Sequence, residues 1–223
     1  MPTGSGVVFD VDDTLYLERD YVASGFAALE PLVRQRWGVP GFDTVAWQLF
    51  LGGHRGTTID AALQRLGVRP TPDGIADLVT AYRAHHPRIS LLPDAREALE
   101  QLRGEGVPVA FLSDGPERSQ AAKVAALGLD RYASHTVLTG AYRDGRFGKP
   151  HPRGYQEIAA RLGCARLAYV ADNPAKDFAA PRRLGWSTVR IRRAGGLHHD
   201  APHGDDVDTT LANLDSLRAA LAW

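Results

Sequence analysis

Short apolar runs ending in polar tips recur along the chain. VVFDVD (Val7–Asp12), PVAFLSDG (Pro108–Gly115), HTVLTGAY (His135–Tyr142), LAYVADN (Leu167–Asn173) and STVRIRR (Ser187–Arg193) are the five clearest. Each has the length and β-branched content of a strand covered on both faces. Helical patterns lie between them. Asp94–Gly106 opens on an acidic cap residue and stops at glycine, Pro116–Gly128 has proline at its start and glycine at its end, and His151–Gly163 repeats the plan. Strand and helix in alternation predict an α/β fold: a Rossmann-like, doubly wound parallel sheet with helices on both faces.

One segment breaks the alternation. Val22, Phe26, Leu29 and Val33 fall at helical spacing, as do Ile59, Leu63 and Leu66, and then Ile75, Leu78, Val79 and Tyr82. GVPGFD, LGGHRGTT and GVRPTPDG mark the turns between them. The stretch is too long for a loop in a compact domain. It predicts a small all-helical domain over residues 17–88, inserted after the first strand, with 1–16 and 89–223 forming the α/β core.

Composition narrows the class. The 223 residues suffice for such a core and a small second domain. Lys plus Arg and Asp plus Glu number 26 each, which leaves no basic footprint for nucleic acid and no polybasic patch for a membrane surface. Only Lys123, Lys149 and Lys176 are lysines; the other cations are arginine. The single cysteine, Cys164, excludes an internal disulfide and fits a reducing compartment. With no apolar run of signal-peptide or membrane-spanning length, a cytoplasmic location is expected. RAGGLHHDAPHGDD (Arg193–Asp206) reads as an exposed loop. Its His198, His199 and His203 have zinc-like spacing, but Pro202 and Gly204 break the helix that would align them.

The chemistry gathers at the strand ends. In an open parallel sheet, ligands bind beyond the carboxyl ends of the strands. Asp10, Asp12, Ser113, Asp114 and Asp172 all sit at such ends, Lys149 lies just before a helix, and Asp177 follows Asp172 by five residues. Two carboxylates about 4 Å apart repel by roughly 4 kcal/mol at an effective dielectric near 20. A shared proton, a neighbouring cation or a bound metal must offset that cost. Several carboxylates, one hydroxyl and one lysine on a single rim outline a site for Mg²⁺ and phosphate.

These residues give the chain its resemblance to the haloacid dehalogenase (HAD) superfamily of phosphohydrolases. The family's four motifs correspond to Asp10-Val11-Asp12-Asp13-Thr14 after the first strand, Ser113 in FLSDG, Lys149 in GKPHP, and Asp172 with Asp177 in VADNPAKD. They occur in the family's order and span essentially the whole chain. Ala171 stands where the family usually has Gly or Ser, a position that contributes backbone rather than a ligand. The insert after the first strand resembles the family's helical cap, a mobile lid.

The resemblance implies Asp10 as nucleophile, forming an aspartyl-phosphate, and Asp12 as general acid and base. It implies Ser113 and Lys149 as phosphoryl-binding groups, and Mg²⁺ held by Asp10, Asp172 and the Asp12 carbonyl. Asp177 would orient Lys149 or a metal-bound water. Thr14, Asp114, Gly115 and Asn173 would support the site, with backbone N–H groups around Asp114 and Gly115 cradling phosphate. His54 and Arg55, in the insert's GGHRGTT turn, are candidate substrate contacts from the lid. The expected function is Mg²⁺-dependent hydrolysis of a small phosphorylated metabolite by a monomer or homodimer.

A haloacid dehalogenase needs the nucleophile but neither the Asp12 acid/base nor metal ligands, so Asp12 with Asp172 argues against it. A phosphonate hydrolase of the superfamily would use a cap lysine, and the insert has none. A sugar phosphomutase and a non-catalytic phosphate- or partner-binding module stay open, although a binding module would be expected to have lost Asp10 or Asp12.

Overall fold

The computed structural model describes residues 3–142, 146–221 and 223; Met1 and Pro2 of the amino-terminal stretch lie outside the described residues. In chain order the elements are β1 (Ser5–Phe9), α1 (Glu18–Trp37), α2 (Phe42–Leu51), α3 (Thr58–Arg65), α4 (Pro72–Ala84), α5 (Pro93–Gly104), β2 (Val109–Ser113), α6 (Glu117–Leu127), β3 (Ala133–Leu138), α7 (Arg153–Leu162), β4 (Arg166–Ala171), α8 (Ala179–Arg183), β5 (Ser187–Ile191), β6 (Thr209–Leu211) and α9 (Leu217–Leu221).

The chain forms two compact units, residues 1–18 with 90–223, and residues 19–89. The first holds one six-stranded sheet of order β3-β2-β1-β4-β5-β6. Every pairing is parallel. The strand order reverses direction at β1, so the crevice of an open sheet falls beside β1. Val7, Val8 and Phe9 of β1 and Leu167–Ala171 of β4 are buried throughout. This is why the central runs are continuously apolar rather than alternating. On one face Ala110, Leu112, Ile158, Phe178 and Trp186 form a core around Tyr155 and Tyr169. The Tyr155 and Tyr169 rings meet edge-on at 5.0 Å, a favoured aromatic geometry.

The second unit is wholly helical. Val22, Phe26, Leu29 and Val33 of α1 close on Phe42 and Ala46 of α2, Leu63 of α3 and Leu78 of α4. The helix periodicity of the sequence is the stripe that this core buries. No described helix is long and apolar enough to cross a membrane.

Several local expectations change. The run HTVLTGAY leaves the sheet at Leu138, and residues 139–141 make a single 3₁₀ turn, because the Thr139 hydroxyl turns to donate to Asp114 Oδ1 at 2.6 Å. Asp94 is not the cap of α5; Pro93 opens that helix after Leu92. The Asp94 carboxylate instead accepts from Leu214 N at 2.8 Å and pairs with Arg193 at 2.8 Å. The short elements β6, α8 and α9 have no counterpart among the sequence patterns.

Candidate active site

β1 ends at Phe9, yet Asp10 N still donates to Val170 O at 2.9 Å. The backbone of β4 therefore fixes Asp10 at the mouth of the crevice. Lys149 Nζ lies 2.6 Å from Asp10 Oδ1 and 2.7 Å from Asp177 Oδ1, and donates to the Tyr169 hydroxyl at 3.1 Å. Its side chain is 1% exposed. A lysine buried this deeply needs carboxylate partners.

Asp10, Asp172 and Asp177 bring carboxylate oxygens within 4.8 Å of one another, the one such compact group of possible ligands among the described residues. Burial pushes Asp10 up to about 6, with Lys149 opposing and Asp177 adding to the rise. Burial, with the charges of Asp10, Asp177 and Asp13, pushes Asp172 up to about 9. A hard-oxygen donor set carrying more negative charge than its lysine neutralises suits a divalent cation such as Mg²⁺.

The raised values carry a consequence for stability. An unfolded Asp has a pKa near 3.9, while burial and the neighbouring carboxylates push Asp172 up to about 9 in the fold. Between those values the folded state binds more protons, so its stability falls as pH rises. Without divalent cation, the melting temperature should therefore be lower at pH 8 than at pH 5. Adding Mg²⁺ should restore more at pH 8 than at pH 5, because protons no longer compete for the carboxylates. Thermal denaturation in EDTA and in millimolar Mg²⁺ checks both. An equal Mg²⁺ shift at the two pH values would count against the cluster as its site.

Asp12 faces a different environment. Both of its carboxylate oxygens receive Lys123 Nζ, at 2.7 and 2.9 Å. The Tyr16 hydroxyl also donates to it, and Gln120 Nε2 reaches it at 3.4 Å. Burial pushes Asp12 up, but Lys123, the Tyr16 hydrogen bond and the charge of Lys176 outweigh it and hold the carboxyl below its ordinary range. Gln120 and Lys123 sit one turn apart on α6 and so face the same way. Gln120 Oε1 accepts from the Ser113 hydroxyl at 2.8 Å. The Ser113 proton expected to face a phosphoryl oxygen is therefore directed at Gln120 here.

Asp114 braces the rim. Its Oδ1 accepts from Thr139 Oγ1 at 2.6 Å and from Lys149 N at 3.1 Å, and its Oδ2 lies 3.4 Å from Lys176 Nζ. A Cβ at Gly140 would fall 2.2 Å from Gly115 O and 2.5 Å from Glu117 N. Only glycine allows that backbone approach, which holds the Asp114–Gly115 turn.

Asn173 is committed on both ends of its amide: Oδ1 accepts from Ala175 N, and Nδ2 lies 3.0 Å from His198 Nε2. Asp177 Oδ2 accepts from Asn173 N at 3.0 Å. Thr14 is fully buried, and its hydroxyl has no partner among the described residues. Asp13 takes a positive φ of 50°. Its carboxylate ties Glu18 N and Leu197 N at 2.8 Å each, so it clamps the turn. His54 and Arg55 belong to the helical unit, in its exposed α2–α3 loop. The Arg55 guanidinium lies 3.9 Å over the Phe50 ring and donates to the Phe50 and His54 carbonyls.

The His-rich stretch is tied down rather than free. Arg190, fully buried, donates to the carbonyls of Asp172 and His198 and to His203 Nδ1. Together with Leu197 N on Asp13 and His198 on Asn173, these bonds fasten the stretch to both acidic loops.

Sequence reasoning passed over Lys123, Gln120, Tyr16, Tyr169 and Lys176. The lysine count was the available signal. Only three of the 26 cationic residues are lysine, and each meets a carboxylate of this rim. A compact ammonium fits between crowded carboxylates where a planar guanidinium fork does not.

The model of the haloacid dehalogenase-like hydrolases matches residues 5–185, and the chain belongs to that hydrolase family. Phosphoserine phosphatase of Thermus thermophilus is 30% identical over 182 residues, covering 81% of this chain and 69% of that protein. (S)-2-haloacid dehalogenase 4A of Burkholderia cepacia is 32% identical over 202 residues, covering 85% and 80%. The solved structure of a HAD family hydrolase from Deinococcus radiodurans, with bound phosphate and sodium, is similar at a TM-score of 0.65 and 27% identity, covering 97% and 94%.

Proposed function

We propose that the chain is a Mg²⁺-dependent phosphatase of small phosphorylated metabolites, working through an aspartyl-phosphate on Asp10. One observation carries the reading: Asp10, directly after β1, shares a compact carboxylate cluster with Asp172 and Asp177 and holds Lys149 at 2.6 Å, while Asp12, two residues on, has a lysine of its own at 2.7 Å. The relatives include both phosphatases and haloacid dehalogenases by name, and Asp12 favours the first. A halide leaves as a stable anion, whereas the alkoxide of a phosphate monoester needs a proton as its bond to phosphorus breaks.

In this reading an Asp10 oxygen attacks phosphorus, the P–O bond to the alcohol breaks, and Asp12 hands the departing oxygen a proton. Water then attacks the same phosphorus, the bond to Asp10 breaks, and Asp12 takes the proton from the water. Lys149 holds the Asp10 carboxylate against Asp177 throughout. Asp10 and Asp172 would hold Mg²⁺, which supplies charge stabilisation to the transferring phosphoryl group when bound. The helical unit is assigned the role of cap because it is inserted directly after the nucleophile's strand.

The test is release of inorganic phosphate from p-nitrophenyl phosphate and a panel of phosphometabolites, with Mg²⁺ and with EDTA, run beside chloride release from 2-chloropropionate. Phosphate release that EDTA abolishes is expected. Chloride release with no phosphate release would overturn the reading in favour of dehalogenation.

A further inference from the structure

The three lysines of the rim are not equally engaged. Lys123 takes both oxygens of Asp12 at 2.7 and 2.9 Å, and its side chain is 3% exposed. Lys149 takes two carboxylates at 2.6 and 2.7 Å. Lys176 differs on each count. Its one ion pair among the described residues is with Asp114 at 3.4 Å, and its side chain is 36% exposed. Asp114 is itself occupied elsewhere, its other oxygen accepting from Thr139 and from Lys149 N.

The backbone under Lys176 is fixed. Lys176 N and Asp177 N both donate to Asn173 O, at 3.3 and 3.1 Å. Asp177 is locked in turn by Lys149 and Asn173 N. A rigid turn thus presents a loosely held ammonium beside a carboxylate-lined crevice. The ammonium lies close enough for its charge to be felt at Asp10, Asp12 and Glu18.

Those carboxylates set a problem for one kind of substrate. A phosphate monoester brings its own negative charge, which Lys149 and a bound cation can meet. A second anionic group on the same small molecule would face Asp12, Glu18 and Asp114 with no buried lysine to spare. Repulsion between like charges this close is substantial where water is excluded. Lys176 is the cation left to meet it, and a weak, half-exposed pair is the kind an incoming anion exchanges at little cost.

Building on the phosphatase reading, we propose that Lys176 is a specificity-determining residue that receives a second anionic group of the substrate. The substrate class is then small phosphorylated acids, carrying a carboxylate or a second phosphate a few atoms from the transferred phosphoryl group.

Two matched ligands test this: 2-phosphoglycolate, and ethyl phosphate, which has the same chain length without the carboxylate. Glycerol 1,3-bisphosphate against glycerol 1-phosphate forms the second-phosphate arm. Binding is measured by calorimetry in Mg²⁺ on Asp10→Asn protein, with Lys176 intact or replaced by Met, Arg or Glu. Turnover is measured on the same series with Asp10 intact. In at least one arm the doubly anionic ligand should bind at least tenfold tighter than its partner. Lys176→Met should reduce that ratio about tenfold, Lys176→Glu should reduce it further, and Lys176→Arg should keep most of it.

An unchanged ratio in both arms overturns the inference. So does an equal loss for both members of a pair, since that would place Lys176 on the transferred phosphoryl group or in the scaffold. The underlying reading fails separately. A Lys176-dependent binding preference in a protein that hydrolyses none of these esters would uphold the inference and overturn the phosphatase. Turnover without such a preference would do the reverse.

Discussion

Asp10→Asn should reduce phosphate release by on the order of 10⁴-fold or more, the scale of loss when a nucleophile is removed from a cooperating set. The neutral amide oxygen cannot displace the alcohol, so no aspartyl-phosphate forms. The fold should survive the change. Asp10 is nearly buried, and burial is the main reason its carboxyl is pushed up to about 6, so its charge is costly there. Asparagine keeps the volume and removes a like charge beside Asp172 and Asp177, while Lys149 keeps Asp177 at 2.7 Å. The metal-free variant should therefore melt no lower than the parent at pH 8, and its gain on adding Mg²⁺ should shrink. Phosphate assays and thermal denaturation with and without Mg²⁺ check the two halves together. Residual turnover within a hundredfold of the parent would remove Asp10 from the nucleophile's role.

Legibility in the sequence followed burial. The central strands could be read because both faces are covered, so β1, β2 and β4 appear as unbroken apolar runs ending where polar groups begin. The edge could not. β6 has three residues and is placed by side chains: Thr188 N and its hydroxyl reach Asp208, and the same hydroxyl donates to Asp206 O. No short-range pattern encodes those bonds. The rim carboxylates were legible because each follows a strand directly. Their partners were not. Gln120 and Lys123 lie on a helix in a stretch, RSQAAKVAAL, that reads as an ordinary surface segment, yet both are buried. Lys123 meets Asp12 across 111 positions of chain. The stretch from Arg193 to Asp206 is exposed over most of its length, as its composition predicts, while its anchor, Arg190, sits inside a strand pattern and is fully buried.

Lys123→Met should act on both stability and rate, because Lys123 is the cation bonded to both Asp12 oxygens. Removing one partner of a buried ion pair typically costs about 3–5 kcal/mol. Asp12 is only partly covered and keeps the Tyr16 hydroxyl, so the lower end, roughly 3 kcal/mol, is expected. On the rate, Lys123 now outweighs burial and holds Asp12 below the ordinary carboxylate range. Without it, burial meets only the weaker opposition of the Tyr16 hydroxyl and the charge of Lys176, and the Asp12 value rises. Asp12 must be a carboxylate to take a proton from water in the second half of the reaction. The acid limb of the kcat profile should therefore move to higher pH, with kcat at pH 6 falling by roughly 10–100-fold, within the usual reach of a general acid–base group. Much of the loss should return at higher pH, where Asp12 is again ionised. Lys123→Arg keeps a charge but not the compact ammonium, so it should hold the acid limb in place while lowering kcat less than the Met variant does. A Met variant whose pH profile keeps its parent shape, merely scaled down, would show that Lys123 supports the fold of α6 and not the ionisation of Asp12.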